Sequence, residues 1–227
     1  MQRSTPNTLL LALLLAPTLA FAPACKSSEP ARPALKTLDV SSQLVGVYEA
    51  LTAELGAAST AVEGLRGTVE SQGIIRREKV AVGDLQAAYD SLGKAIGSLE
   101  KSQKSVVGAR ETLRKTVEKQ LKQWDADIAG FESADLRATT QKRRDTAATR
   151  FATLSTELDG VAKSVEGYLG RLGEVKRALA HDLTPEGVGA LDAILKDTAG
   201  ASQPLADEVG RAMAALREYA GTLSAKG

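Results

Sequence analysis

The chain has 227 residues, of which 25% are charged and 4% aromatic, and it contains one cysteine and one histidine. This length suits a single domain, and such a composition is typical of helical bundles rather than sheets. One cysteine excludes an internal disulfide framework, and with one histidine it leaves too few ligands for a zinc-type site. Because 29 basic residues nearly balance 28 acidic ones, we do not expect nucleic acid as a partner.

The first 24 residues have the layout of an export signal. Arg3 precedes an apolar run from Leu9 to Leu15, and small residues follow the run up to Cys25. The run is too short to span a bilayer. We therefore predict a signal peptide over residues 1–24 and export to the cell envelope or periplasm.

A segment around Cys25 predicts how the exported chain is held. Ala22-Pro23-Ala24-Cys25 resembles the box of bacterial lipoproteins, in which the cysteine is lipidated and becomes the new N-terminus. The resemblance implies lipid attachment at Cys25 and anchoring to a membrane. A plain export signal is the alternative, and Cys25 would then be discarded or left as a free thiol. Residues 25–37 begin with a proline-containing polar stretch and are predicted to form a tether.

Four apolar seams follow, each stepping by threes and fours and so marking one face of a helix. The predicted helices cover about residues 38–72, 84–129, 133–181 and 185–224, within one domain over 38–227. Short connections between such seams predict an all-α fold, an elongated antiparallel coiled-coil-like four-helix bundle. At about 1.5 Å per residue, each arm of the central hairpin would be roughly 70 Å long.

Three local signals refine this arrangement. Thr184-Pro185-Glu186 supplies a cap, a proline at the first helical position and an early acid, which together predict a helix start. Pro204 removes a backbone donor, so we expect a kink or a break between Ala199 and Pro204. Gln103 and Arg110 interrupt the second seam, and the sequence leaves open whether they face a sister chain or water.

No residue pattern predicts catalysis, a cofactor or a metal. His181 is the only imidazole and lies at a predicted helix C-terminus, where a cation suits the helix dipole. A carboxylate cluster near the central turn lacks the glycine-centred spacing of a calcium loop, and helix-start electrostatics explain Asp135 equally well. Core packing, rather than a ligand pocket, is the expected role of four aromatic residues on or beside the seams: Trp124, Phe131, Phe151 and Tyr168.

Basic residues approach the central turn, Ala129–Ser133, on both arms of the hairpin. An up-and-down bundle returns this turn to the anchored end of the molecule, where bases could contact an anionic membrane surface. The alternative is a solvated helix face with ordinary charge mixing. The residues predicted to make this contact are Lys115, Lys119, Lys122, Arg137, Lys142, Arg143 and Arg144.

Several spaced blocks resemble a bacterial family catalogued as domain of unknown function 2959. The blocks are Gly83–Leu92, Gln123–Phe131, Ala134–Arg137 and Leu179–Leu183. The resemblance is good from about Gly83 to the C-terminus and poor over the first helix. It implies an exported, often lipid-anchored, helical protein and brings no activity with it. Where the family carries Lys-His-Asn, this chain has Ala180-His181-Asp182.

These observations predict a non-enzymatic helical protein of the cell envelope, a lipid-anchored scaffold or interaction module. Its expected partners are the membrane, through the lipid, and a protein partner or a second copy, through the helix faces. The alternative is a lipid- or amphiphile-binding envelope protein whose helices part, helped by loose packing at glycines; close helix approach would equally explain those glycines. An enzyme is the third reading. The glycines concerned are Gly93, Gly97, Gly160, Gly167, Gly170 and Gly173.

Overall fold

The computed structural model describes residues 31–75 and 82–224, which form helices joined by short breaks. The helices are α1 (Ala31–Ile75), α2 (Val82–Ala129), α3 (Ala134–His181), α4 (Pro185–Ala190), α5 (Asp192–Gly200) and α6 (Ser202–Ser224). The described residues contain no strand, so the predicted all-α class is confirmed. The predicted signal peptide, Cys25 and residues 76–81 of the first turn lie outside the described residues.

The first helix begins earlier than the sequence predicted. It starts at Ala31, so residues 31–37 of the predicted tether are helical. Pro33 is compatible with this start because the first turn of a helix has no intrahelical partner for its N–H groups. Thr37 is fully buried, and its Oγ1 donates to Oε1 of Gln120 at 2.7 Å. This contact packs the start of α1, beyond the predicted boundary, against α2.

The central hairpin breaks where its turn was predicted. α2 ends at Ala129 and α3 begins at Ala134. Ser133 caps α3, its side chain accepting a hydrogen bond from the Leu136 amide at 3.3 Å. Such a cap satisfies one of the donors that a helix N-terminus leaves free.

The predicted fourth helix is three helices in the structure. Thr184 caps α4 through a bond from the Gly187 amide, 3.0 Å long, and Pro185 and Glu186 follow as predicted. A break at Ala201 separates α5 from α6 and falls in the interval predicted from Pro204. A second break at Leu191 was not predicted; Gly187 and Gly189 give the short α4 a low helix propensity.

The helices pack side by side and run past one another in opposite directions. α1 lies against α2 and α6, and α3 lies against α2 and α6. Residue numbers rise along α1 while those of α6 and α5 beside it fall. The ion pairs Glu49–Arg217 and Arg66–Asp192, at 2.9 and 2.8 Å, show this. Residue numbers likewise rise along α3 while those of α2 beside it fall, as the ion pairs Asp125–Arg144 and Arg110–Asp159 show. The result is a helical bundle.

One continuous apolar core runs along the bundle. The seam of α3, which was the most regular in the sequence, is buried from Leu154 to Leu179. Tyr48 and Tyr168 are also buried, and neither hydroxyl has a hydrogen-bond partner among the described residues. Burial raises the pKa of both phenols to about 12, because the charged form would be poorly solvated there.

Candidate membrane-facing end of the bundle

The start of α1, the end of α6 and the α2–α3 turn lie at one end of the bundle, called the hairpin end below. Thr37 near the start of α1 contacts Gln120 of α2. Leu223 near the end of α6 lines the same crevice as Trp124 of α2. α2 continues past both positions to Ala129. The hairpin end is therefore where the start of α1 lies beside the segments of α2 and α3 that carry the predicted basic contact residues.

Four of the seven basic residues predicted to contact a membrane are exposed and form no ion pair with a described residue. They are Lys119, Lys122, Lys142 and Arg143. These side chains keep their charge available to a surface. Exposed lysine and arginine side chains are also usual on a solvated helix face. Their exposure is therefore compatible with both a membrane contact and a solvated face.

The other three predicted residues are engaged within the chain. Lys115 lies 3.3 Å from a carboxylate oxygen of Glu111. Nη2 of Arg137 donates to the backbone oxygen of Phe131 at 2.6 Å, which closes the turn between the two helices.

Arg144 makes the most specific of these contacts. Its Nε and Nη2 each lie 2.9 Å from an oxygen of the Asp125 carboxylate, and Asp145 is a second, longer partner. Nη2 donates a charge-assisted hydrogen bond that links α3 to α2 near the turn and raises the pKa of Arg144, whereas Nε has no hydrogen-bond partner among the described residues. Arg144 is therefore paired within the chain, unlike Lys142 and Arg143 beside it, which form no ion pair with a described residue.

The carboxylates nearest the turn do not assemble into a cation site. Asp125 is paired with Arg144, and Asp127 accepts a bond from Nε2 of Gln123 at 2.9 Å. Among residues 31–75 and 82–224, no group of three or more His, Cys, Asp or Glu side chains is placed to hold a metal ion. The acidic residues instead give the extreme tip a negative charge, opposite in sign to the flanks above it.

A groove between the start of α1 and α2 is lined by further basic residues. It has a volume of about 460 Å³ and is lined by Lys36, Lys115, Lys119 and the buried Gln120. Lys36 was missed at the sequence level because it fell in the predicted tether. Its spacing from the α2 lysines carries no local signal; only the long-range pairing of α1 with α2 brings these residues together.

Seam positions away from this end have ordinary structural roles. Arg110, which interrupts the apolar seam of α2, forms an ion pair with Asp159 of α3 and lies close enough to Tyr48 to act on its phenol. Gln103 is half-buried. His181 ends α3, as predicted.

The glycines of the hairpin arms do not mark close helix approach. A Cβ at Gly93 would lie 3.2 Å from Nζ of Lys176, and one at Gly160 would lie 3.6 Å from a Glu208 oxygen, both ends of flexible side chains. At the remaining four a Cβ would meet no atom within 4 Å: Gly97, Gly167, Gly170 and Gly173. Close backbone contact therefore does not account for them.

The aromatic residues divide between core and surface crevices. Tyr168 is buried, and Phe151 packs against Tyr219 with ring centroids 5.8 Å apart. Trp124 and Phe131 are only half-buried. Core packing is thus the wrong description of Trp124, which lines an open crevice instead.

The described helices form a bundle, and comparison with known protein families assigns the chain to one of them. Residues 42–222 match the family described as protein of unknown function (DUF2959), which is well over half of the chain. The chain belongs to this family, and the match extends into α1, beyond the blocks that suggested it. Searches of curated proteins and of solved structures gave no significant match. No helix in the described part of the chain is both long and apolar enough to cross a membrane.

Proposed function

We propose that this protein is a non-enzymatic scaffold or interaction module of the bacterial cell envelope, held to a membrane by a lipid on Cys25. In this proposal the helices form an elongated, antiparallel, coiled-coil-like four-helix bundle that stands on its hairpin end. Seams that step by threes and fours favour the shallow helix crossings of such a bundle. Its partners would be a protein or a second copy, bound through the helix faces, without a cofactor and without nucleic acid.

The observation that carries the proposal is the shared position of the α1 start and the α2–α3 turn. Thr37 and Gln120 are at one level. From that level α1 extends about 9 Å back to Ala31, and α2 extends about 13 Å on to Ala129, at about 1.5 Å per residue. The two ends are therefore level to within about 5 Å. An anchor that precedes α1 would bring the turn to the same surface.

The length of the predicted tether sets how close that surface is. Cys25 and Ala31 are separated by six peptide units, which span at most about 20 Å when fully extended. The hairpin end of an anchored chain would then stay within about two and a half Debye lengths of the bilayer at physiological salt, since one such length is about 8 Å. At full extension the attraction would be largely screened, but on close approach each unpaired basic residue would add up to about 1 kcal/mol.

The tip carboxylates limit this attraction. If the rod stood perpendicular to the bilayer, Asp127 and Glu132 would approach an anionic surface first and be repelled. A tilted rod would instead bring a basic flank to the surface. The electrostatic contact is accordingly proposed as secondary to the lipid, which contributes about 0.8 kcal/mol per buried CH₂.

The test is membrane fractionation of cells that produce the parent, a Cys25→Ser variant and a Lys163→Gln variant. Lys163 is exposed in the middle of α3, so Lys163→Gln is a single substitution that touches neither Cys25 nor the hairpin end. We expect the parent and Lys163→Gln in the membrane fraction and Cys25→Ser in the soluble fraction. A Cys25→Ser protein that stays in the membrane fraction after a high-salt wash would refute lipid anchoring.

A further inference from the structure

A crevice opens where α6 ends against the side of the α2–α3 hairpin. Trp124 of α2 and Leu223 of α6 contribute apolar surface to it, and α3 contributes Lys142, Arg143 and Arg150. Its volume is about 290 Å³. The crevice exists because α2 and α3 continue beyond the last turn of α6, so that a strip of α3 loses its covering helix.

The three cations of the crevice, Lys142, Arg143 and Arg150, are exposed, and none has an ion pair with a described residue. Their neighbour Arg144 shows the contrast, because its Nη2 donates to the Asp125 carboxylate at 2.9 Å. Arg143 and Arg150 are seven residues apart and so lie on one face of α3, about 10 Å apart along the helix axis.

The remaining polar groups of the crevice are already committed. The hydroxyl of Thr146 donates to the Lys142 carbonyl at 2.8 Å, and that of Thr222 donates to the Tyr219 carbonyl at 2.7 Å. Donors for a bound molecule must therefore come from ammonium and guanidinium groups. Among the described residues no carboxylate lines the crevice; Asp145 lines an adjoining depression with Lys142 and Arg150, and Glu157 and Glu218 line another that also touches Arg150.

We propose that this crevice binds the headgroup and upper chain of an anionic membrane lipid. The cations would hold the phosphate, for which the planar guanidinium of Arg143 or Arg150 offers paired donors. The half-buried Trp124 and Leu223 would cover the first methylenes of the chain. Ligand pockets commonly measure about 300–1,000 Å³, so a crevice at the lower end of that range holds a headgroup and a short length of chain but not a whole lipid.

This site does not depend on lipidation of Cys25. It rests on the placement of three unpaired cations beside an apolar wall, and it would bind the lipid even in a protein that is not anchored. It also differs from a binder whose helices part, because the core seam stays closed. Failure of the site would leave the anchored scaffold intact, and failure of the anchor would leave the site intact.

Trp124 supplies a direct assay because it is the only tryptophan in the chain. The purified full-length protein is titrated with dodecyl phosphate below its micelle concentration while tryptophan emission is followed. Dodecyl maltoside tests the chain without the charge, and inorganic phosphate tests the charge without the chain. We expect a saturable blue shift with dodecyl phosphate and at least about tenfold weaker responses with the other two, since the maltoside cannot form the charge-assisted hydrogen bonds and inorganic phosphate has no chain to bury against Trp124.

Variants then test which residues hold the charge. Arg143→Gln with Arg150→Gln should weaken dodecyl phosphate binding at least about tenfold by the same reasoning, whereas Lys163→Gln should bind like the parent. Circular dichroism confirms that each variant is folded. On vesicles, the blue shift should occur with phosphatidylcholine containing phosphatidylglycerol and be absent with phosphatidylcholine alone. An equal response to dodecyl maltoside, or unchanged binding by the double variant, would overturn the proposal.

Discussion

Replacing Leu158 by aspartate should remove most of the stability of the bundle. Leu158 is 3% exposed and lies in the continuous core on the seam of α3. Truncating a buried leucine to alanine costs about 2–5 kcal/mol. An aspartate loses the same packing and must also bury a carboxylate or open the seam to water, which adds further cost. The sum approaches the total stability of an ordinary domain, about 5–15 kcal/mol.

The assay is urea unfolding followed by far-UV circular dichroism. With a slope of about 2 kcal/mol per molar urea, a loss of 4 kcal/mol lowers the midpoint by about 2 M. Thr156→Asp is the matched control, because it places the same charge two residues away on the exposed face of α3. Its midpoint should remain near that of the parent. If Leu158→Asp and Thr156→Asp had equal midpoints, the seam of α3 could not be the core that the structure describes.

Further predictions concern backbone, pH and the hairpin end. Gly167→Ala should raise stability by up to about 1 kcal/mol. Alanine has a higher helix propensity than glycine, and the new Cβ would meet no atom within 4 Å. Gly187→Ala should lower the melting temperature, because a Cβ there would lie 2.7 Å from the Asp182 carboxyl carbon. Arg144→Gln should speed amide exchange near the turn but not at Thr184, since it removes the link to Asp125. The buried phenols should contribute stability that is fully present below pH 10 and is lost as the pH rises from 10 through 12, measured by urea midpoints. This sign follows because folding favours the protonated phenol of three tyrosines whose pKa is raised to about 12: Tyr48, Tyr168 and Tyr219.

Features governed by local periodicity could be predicted from the sequence. The seam from Leu154 to Leu179 repeats one step without interruption, and all of it is buried. The Thr184 cap and the break before Pro204 follow from side-chain and backbone chemistry within a few residues, and both occur. Such features need no knowledge of which helix lies next to which.

Features that depend on distant neighbours could not be predicted. α1 begins at Ala31, and Thr37 near its start is buried against Gln120, a polar residue more than eighty positions away. At this level of α2 the polar Gln120 is buried, whereas the apolar Leu121 beside it is not fully buried. A seam argument assigns burial by polarity, so it passes over a polar pair that is buried because its members satisfy each other.

The same limit applies to the hairpin end. Seven bases near the turn could be grouped by sequence, but their grouping hid the pairing of Arg144 with Asp125. Arg150 was not in that group, although it lies on the same face of α3 as Arg143 and lines the same crevice. The crevice depends on where α6 stops relative to α2, a distance that no local pattern encodes. Trp124 accordingly was assigned to the core.

The proposed lipid anchor is tested most directly by mass spectrometry of the N-terminus of protein isolated from the cells that make it. Our account predicts that the mature chain begins at Cys25 and carries acyl chains there. A mature chain that begins at another residue, or that begins at Cys25 with an unmodified thiol and amine, would contradict it.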